Sequence, residues 1–165
     1  MIQEKQTVYT TDEQNNKVKV VREFDAPVEK VWKAWTDRSI LDQWWAPKPW
    51  KTVSKSQDFK EGGTWLYYME GPEGEKHHCR ADYKKIVPGK SFEVRDYFTD
   101  EQGNPNGDFP GMNWVISFNE TSDNSTKAQC DLGFKSAEDL KTIMNMGFKE
   151  GFEAAHGNLD ELLAK

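Results

Sequence analysis

The chain has 165 residues, a length at which one hydrophobic core can form. A formal charge of −6 argues against a surface built to face phosphates, and no apolar run is long enough to span a membrane as a helix. Only 36% of the residues are hydrophobic, but 13% are aromatic, and rings bury enough area for few residues to supply most of a core.

The N-terminal stretch MIQEKQTVYTTDEQ has no apolar h-region, so no signal peptide is expected. Cys79 and Cys130 lack motif spacing and read as reduced thiols in a cytoplasmic protein. One domain over 1–165 is expected, with 1–16 as an N-terminal extension or edge strand. Residues 5–10 and 17–24 read as strands, and Val18, Val20 and Phe24 give the second an apolar face. Arg22 falls in phase with that face, so either a bulge turns it outward or a partner holds it.

The period then changes. Val28, Val31, Trp32 and Trp35 follow helical spacing after Pro27. Asp37 can cap a second short helix carrying Leu41 and Trp44, which the Ala46-Pro-Lys-Pro49 run ends. Trp44 and Trp45 are expected to divide between core and cavity mouth. Turn residues then separate strands near 52–58, 64–70, 77–87, 90–99, 112–120 and 126–134. The longest loop, 100–111, has the length of a segment that covers a binding site. Ser136 and Asp139 resemble a capping box that opens a helix running to residue 164, with Gly157 as a point where it could kink.

Alternation assigns inner faces to the strands. Trp65, Tyr67 and Met69 share one. Placing His78, Arg80, Asp82 and Lys84 in water turns His77, Cys79, Ala81 and Tyr83 inward. A two-residue turn at Pro88-Gly89 pairs Val87 with Lys90, and hence Tyr83 with Val94, Ala81 with Asp96 and Cys79 with Phe98. The inner set of that strand is then Phe92, Val94, Asp96 and Phe98, joined by Trp114, Ile116 and Phe118 from the next. Asp96 is thus a carboxylate on an apolar face, close to Tyr83 and on the same side as His77. It serves either as a structural partner of Tyr83 or as a polar group lining a cavity. On the last helix Gly147 and Gly151 lie four apart in the apolar stripe, which fits close sheet–helix approach or room for a bound molecule. Met144 and Met146 lie beside them.

Four segments carry a resemblance: FDAPVEKVWKAWTDRSILDQWWAP (24–47), GGTWLYYMEGPEG (62–74), ADYKKIVPGK (81–90) and MGFKEGFEAAHGNLDELLAK (146–165). Together the chain resembles the Hsp90-ATPase-activator-homologue-like family of the START/Bet v 1-like superfamily. The resemblance implies an α+β helix-grip fold: a curved antiparallel sheet wrapped around a long C-terminal helix, two short helices after the first strands, and a cavity between sheet and helix. The superfamily includes lipid binders, cyclases, hydroxylase domains and chaperone regulators, so the fold leaves the role open. The family's eukaryotic co-chaperone carries an additional N-terminal domain, which this sequence does not contain.

Motifs for catalysis or phosphate binding are missing from the sequence. His77 and His78 point to opposite faces; His77 and Cys79 could share an ion but lack a third ligand, so neither metal nor cofactor is expected. Glu150, Glu153 and His156 read as a solvated polar edge. The candidate ligand-binding residues are Trp65, Tyr67, Met69, His77, Tyr83, Asp96, Phe98, Trp114, Met144, Gly147, Phe148 and Gly151. The first functional expectation is a non-catalytic binder of a small apolar or amphipathic molecule. An Hsp90-type chaperone regulator or stress-related interaction protein comes second. An enzyme using Tyr83, Asp96 and His77 on a cyclic or polyketide-like substrate comes third. The expected partner is the small molecule or, on the second reading, a chaperone; nucleic acid is not expected, and a homodimer is compatible with the sequence.

Overall fold

A computed structural model of the chain describes residues 6–105 and 111–164. Hairpin β1 (Val8–Asp12) and β2 (Lys17–Phe24) leads into α1 (Val28–Thr36) and α2 (Arg38–Trp44). A meander follows: β3 (Lys51–Gln57), β4 (Thr64–Glu70), β5 (Lys76–Val87), β6 (Ser91–Phe98), β7 (Met112–Ser122) and β8 (Ser125–Gly133). The chain ends in α3 (Ala137–Asn145) and α4 (Phe148–Leu163). Because β8 pairs with β2, hairpin and meander join in one antiparallel sheet, ordered β1-β2-β8-β7-β6-β5-β4-β3. The α+β helix-grip arrangement expected from the sequence is therefore present.

The helices form where local signals put them. Asp37 accepts from the Ser39 backbone N–H at 2.9 Å and starts α2, and Ser136 accepts from the Asp139 N–H at 3.1 Å and starts α3. Val31, Ala34 and Trp35 of α1 and Leu41 and Trp44 of α2 are buried against Phe152, Ala155 and Leu159 of α4 and the inner sheet face. The Trp44 indole donates to the Ala34 carbonyl at 2.9 Å, so its polar edge is satisfied inside the core.

Several expectations need correction. The last helix is not continuous: Gly147 adopts φ 86° and separates α3 from α4. Met146 and Gly147 donate to the carbonyls of Ile143 and Met144, which closes α3, and α4 is then about 24 Å long at 1.5 Å per residue. Gly157, by contrast, lies inside unbroken α4. The hairpin register is right at Cys79–Phe98, Ala81–Asp96 and Tyr83–Val94, but Val87 faces Ser91, not Lys90. A bulge between Tyr83 and Lys85 absorbs the extra turn residue, so two departures from the expectation cancel.

Arg22 points inward and has a partner. It is 4% exposed, donates to both carboxylate oxygens of Asp160 on α4, and reaches the Glu23 carbonyl at 2.7 Å. His156 is likewise no part of a solvated edge, being 1% exposed, although Glu150 and Glu153 are exposed. The helix turns it between Phe24 and Phe152, and its Nδ1 meets the Thr7 hydroxyl at 2.9 Å. The first strand spans Val8–Asp12, and residue 5 of the expected segment lies outside the described residues. Of the loop expected to cover a site, residues 106–110 lie outside the described residues.

Candidate functional site

The space between β4–β7 and the α3–α4 break is a cavity of about 230 Å³. Its sheet wall is Tyr67 and Met69 of β4, Cys79 of β5, Asp96 and Phe98 of β6, and Met112 and Trp114 of β7. The other wall is Ile143 of α3, Met146 and Gly147 at the break, and Phe148, Gly151 and Phe152 of α4. Trp45 and Pro47, just past α2, complete it. Asn158 of α4 anchors that last segment, because its amide donates to the Ala46 carbonyl at 3.0 Å. The rings of Trp45, Trp114 and Phe152 meet at centroid distances of 5.5–6.0 Å and form an aromatic wall.

Glycine has a different role at the two helical positions. Gly147 supplies the left-handed backbone that breaks the helix. Gly151 has helical geometry, and a Cβ there would meet only Pro47 Cγ, at 3.8 Å. Its missing side chain is cavity volume.

One polar track crosses this apolar space. The Trp45 indole donates to the Tyr67 hydroxyl at 3.3 Å, and that hydroxyl donates to the two Asp96 oxygens at 3.2 and 3.4 Å. Trp65 stacks on the Tyr67 ring with centroids 3.9 Å apart, which holds the hydroxyl in place. Burial pushes the Asp96 carboxyl up to about 7, against the lowering effect of the Tyr67 hydroxyl and the Tyr97 backbone N–H. Burial also raises the Tyr67 hydroxyl and the Cys79 thiol, which keeps both neutral. The Trp114 Nε1–H is buried with no acceptor among the described residues.

Eight of the twelve residues expected at the site line this cavity: Tyr67, Met69, Asp96, Phe98, Trp114, Gly147, Phe148 and Gly151. Trp65 and Tyr83 instead line a smaller space of about 30 Å³ deeper under the sheet, which Asp96 and Trp114 also border. The Tyr83 hydroxyl takes its hydrogen bond from Gln57 at 3.0 Å, so the hydroxyl bonded to Asp96 is that of Tyr67, not Tyr83. His77, at the start of β5, is exposed and lies against Trp50 with centroids 5.2 Å apart. The trio Tyr83, Asp96 and His77 is therefore not assembled in one site. Met144 packs against the core, and the break at Gly147 brings Met146 to the cavity in its place.

Trp45 and Met146, which the sequence set at the cavity mouth and beside the helical glycines, do line the cavity, whereas Pro47 was not singled out. The Pro47/Pro49 run was the local signal that could have marked it. No group of three or more His, Cys, Asp or Glu side chains that could hold a metal ion occurs among the described residues. Nor is any helix among them long and apolar enough to cross a membrane.

A sheet gripping a C-terminal helix over an aromatic cavity defines a helix-grip protein of the START/Bet v 1-like kind. The chain belongs to the family described as Activator of Hsp90 ATPase homolog 1-like protein, which matches residues 25–164. Among solved structures it is similar to a Mycobacterium smegmatis protein at 31% identity and a TM-score of 0.87, covering 96% of this chain and 97% of that one. An Arthrobacter aurescens protein matches at 29% identity and a TM-score of 0.89, covering 95% and 91%. A Staphylococcus epidermidis protein matches at 25% identity and a TM-score of 0.82, covering 94% and 93%. No protein with a curated description matches.

Proposed function

We propose that the protein binds a small apolar or amphipathic molecule between the sheet and the C-terminal helices, without catalysing a reaction on it. The observation that carries this reading is the 230 Å³ cavity, apolar on nearly every side and crossed by the Tyr67–Asp96 hydrogen bond. A cavity of about 150 Å³ lined by apolar side chains accommodates benzene, so this one has room for a ring with a short arm. Free, buried Cys79 and Cys130 support a reducing, cytoplasmic setting.

The test is titration of the purified protein with indole, followed by calorimetry, for the wild type and Gly151→Leu. The wild type is expected to bind, and the folded variant, whose new side chain fills the cavity, to lose at least tenfold in affinity. Equal binding by both would move the site elsewhere. Native mass spectrometry of the purified protein searches directly for a retained occupant.

The family description favours a second reading, regulation of an Hsp90-type chaperone. Its test is ATP turnover by such a chaperone with and without excess of this protein. Saturable, several-fold stimulation would put the functional surface on the outside of the domain.

A further inference from the structure

Resting on the binding reading above, we infer that the occupant of the cavity is a small amine, a protonated nitrogen on a ring-sized apolar body, whose charge pairs with Asp96. Three observations on the cavity converge.

The first is an imbalance of charge. Asp96 borders the cavity as a carboxylate, while the described lining contains no Lys, Arg or His. The Tyr67 hydroxyl supplies one neutral donor, which partly satisfies an anion and does not neutralise it. An apolar guest would therefore favour the protonated acid, at a cost in free energy for holding that proton at higher pH, whereas an ammonium group would pair with the ionised form.

The second is the material of the walls. Trp45, Trp114, Phe148 and Phe152 face the same space as Asp96. Ring faces attract cations, and aromatic walls beside one carboxylate are the chemistry that recognises ammonium groups. A carboxylic acid would meet a like charge here, and a plain hydrocarbon would leave Asp96 as it was.

The third is size. At about 230 Å³ the cavity has room for an aromatic ring with a two-carbon aminoalkyl arm.

Titration of Asp96 sets a second signature. The titratable groups facing it are Tyr67 of β4 and Cys79 and Tyr83 of β5, all raised chiefly by burial. Asp82 acts from the far face of β5, and the lining from α3 and α4 contributes no titratable group. With Asp96 near 7, amine affinity should rise as pH climbs through 7, because ionised Asp96 is the form that pairs.

The experiment compares 2-phenylethylamine, 2-phenylethanol and phenylacetate by calorimetry at pH 8. Wild type is expected to bind the amine at least tenfold more tightly than the alcohol, and phenylacetate most weakly. Asp96→Asn is expected to erase the amine preference while retaining the alcohol. If that variant does not fold, the wild-type profile decides: amine affinity should rise several-fold, towards a ceiling of about tenfold, between pH 6 and 8 while alcohol affinity does not rise. Equal affinity for amine and alcohol, with a flat amine profile, overturns the amine assignment and leaves cavity binding intact. Failure of all three compounds and of indole overturns both.

Discussion

The Tyr67 hydroxyl donates to the Asp96 carboxylate across an intervening strand, at 3.2 and 3.4 Å to its two oxygens. Tyr67 lies opposite Cys79 and Asp96 opposite Ala81, so the pair is diagonal across β5. A double-mutant cycle on Tyr67→Phe and Asp96→Ala, read by urea denaturation at pH 8, should give a coupling of about 1–3 kcal/mol. The same cycle with Tyr83→Phe should be additive within about 0.5 kcal/mol, since Tyr83 bonds Gln57. Strong coupling to Tyr83 instead would contradict the described register of hydroxyls.

Two inward-facing groups, Asp96 at the cavity wall and buried His156, should tilt stability against pH in opposite directions. Asp96 has a folded value near 7 against an ordinary 3.8, so between these the folded state keeps a proton that the unfolded chain has lost. Its contribution therefore falls as pH rises through that window. His156 is held down to about 3, by burial first and by Arg22 second, from an ordinary 6.5. Between those values the unfolded chain takes up a proton that the folded state refuses, so its contribution falls as pH drops. The slopes oppose each other from about pH 4 to 6.5. Relative to Asp96→Asn, wild type should lose on the order of 3 kcal/mol between pH 4 and 8. Relative to His156→Gln, it should lose about 2 kcal/mol between pH 7.5 and 5. Denaturant midpoints over this range read both, and parallel curves for wild type and variant would refute either assignment.

The ion pair of Arg22 with Asp160 ties the sheet to α4. Asp160 is 37% exposed at its side chain, while Arg22 is 5%. Asp160→Ala leaves a buried guanidinium without its carboxylate and should cost about 2–4 kcal/mol. Adding Arg22→Met removes the stranded charge, and more than half of that loss should return. Thermal or urea denaturation of the three variants distinguishes this from simple loss of packing, in which the second change would only add to the first.

Alanine should have opposite effects at two C-terminal glycines. Gly147 has φ 86°, where a Cβ is strained, so Gly147→Ala should destabilise by about 1–2 kcal/mol. Gly157 is helical and exposed, and nothing lies within 4 Å of a Cβ built there. Gly157→Ala should stabilise by about 0.5–1 kcal/mol. Circular dichroism melts of the two variants provide the check.

Much of the architecture was legible in the residues alone, because it is encoded by local period. The change from alternation to helical spacing after Pro27, the caps at Asp37 and Ser136, and the turn residues of the meander place the elements to within a few residues, the break between α3 and α4 excepted. The same alternation put Asp96 on an inner face and found most of the sheet wall of the cavity. The tertiary structure decided which side chain meets which. Tyr67 rather than Tyr83 reaches Asp96 because the pair spans three strands, and Tyr83 is engaged by Gln57 from β3. Arg22 could be read only as an oddity on its strand, since its carboxylate lies 138 positions away on α4. His156 and Asp160 belong to a helix whose phase is reset at Gly147 and whose packing against the sheet selects the buried face. Periodicity reports which face of an element is inward; partners across strands and helices depend on register, bulges and close packing, which arise only when the chain has folded.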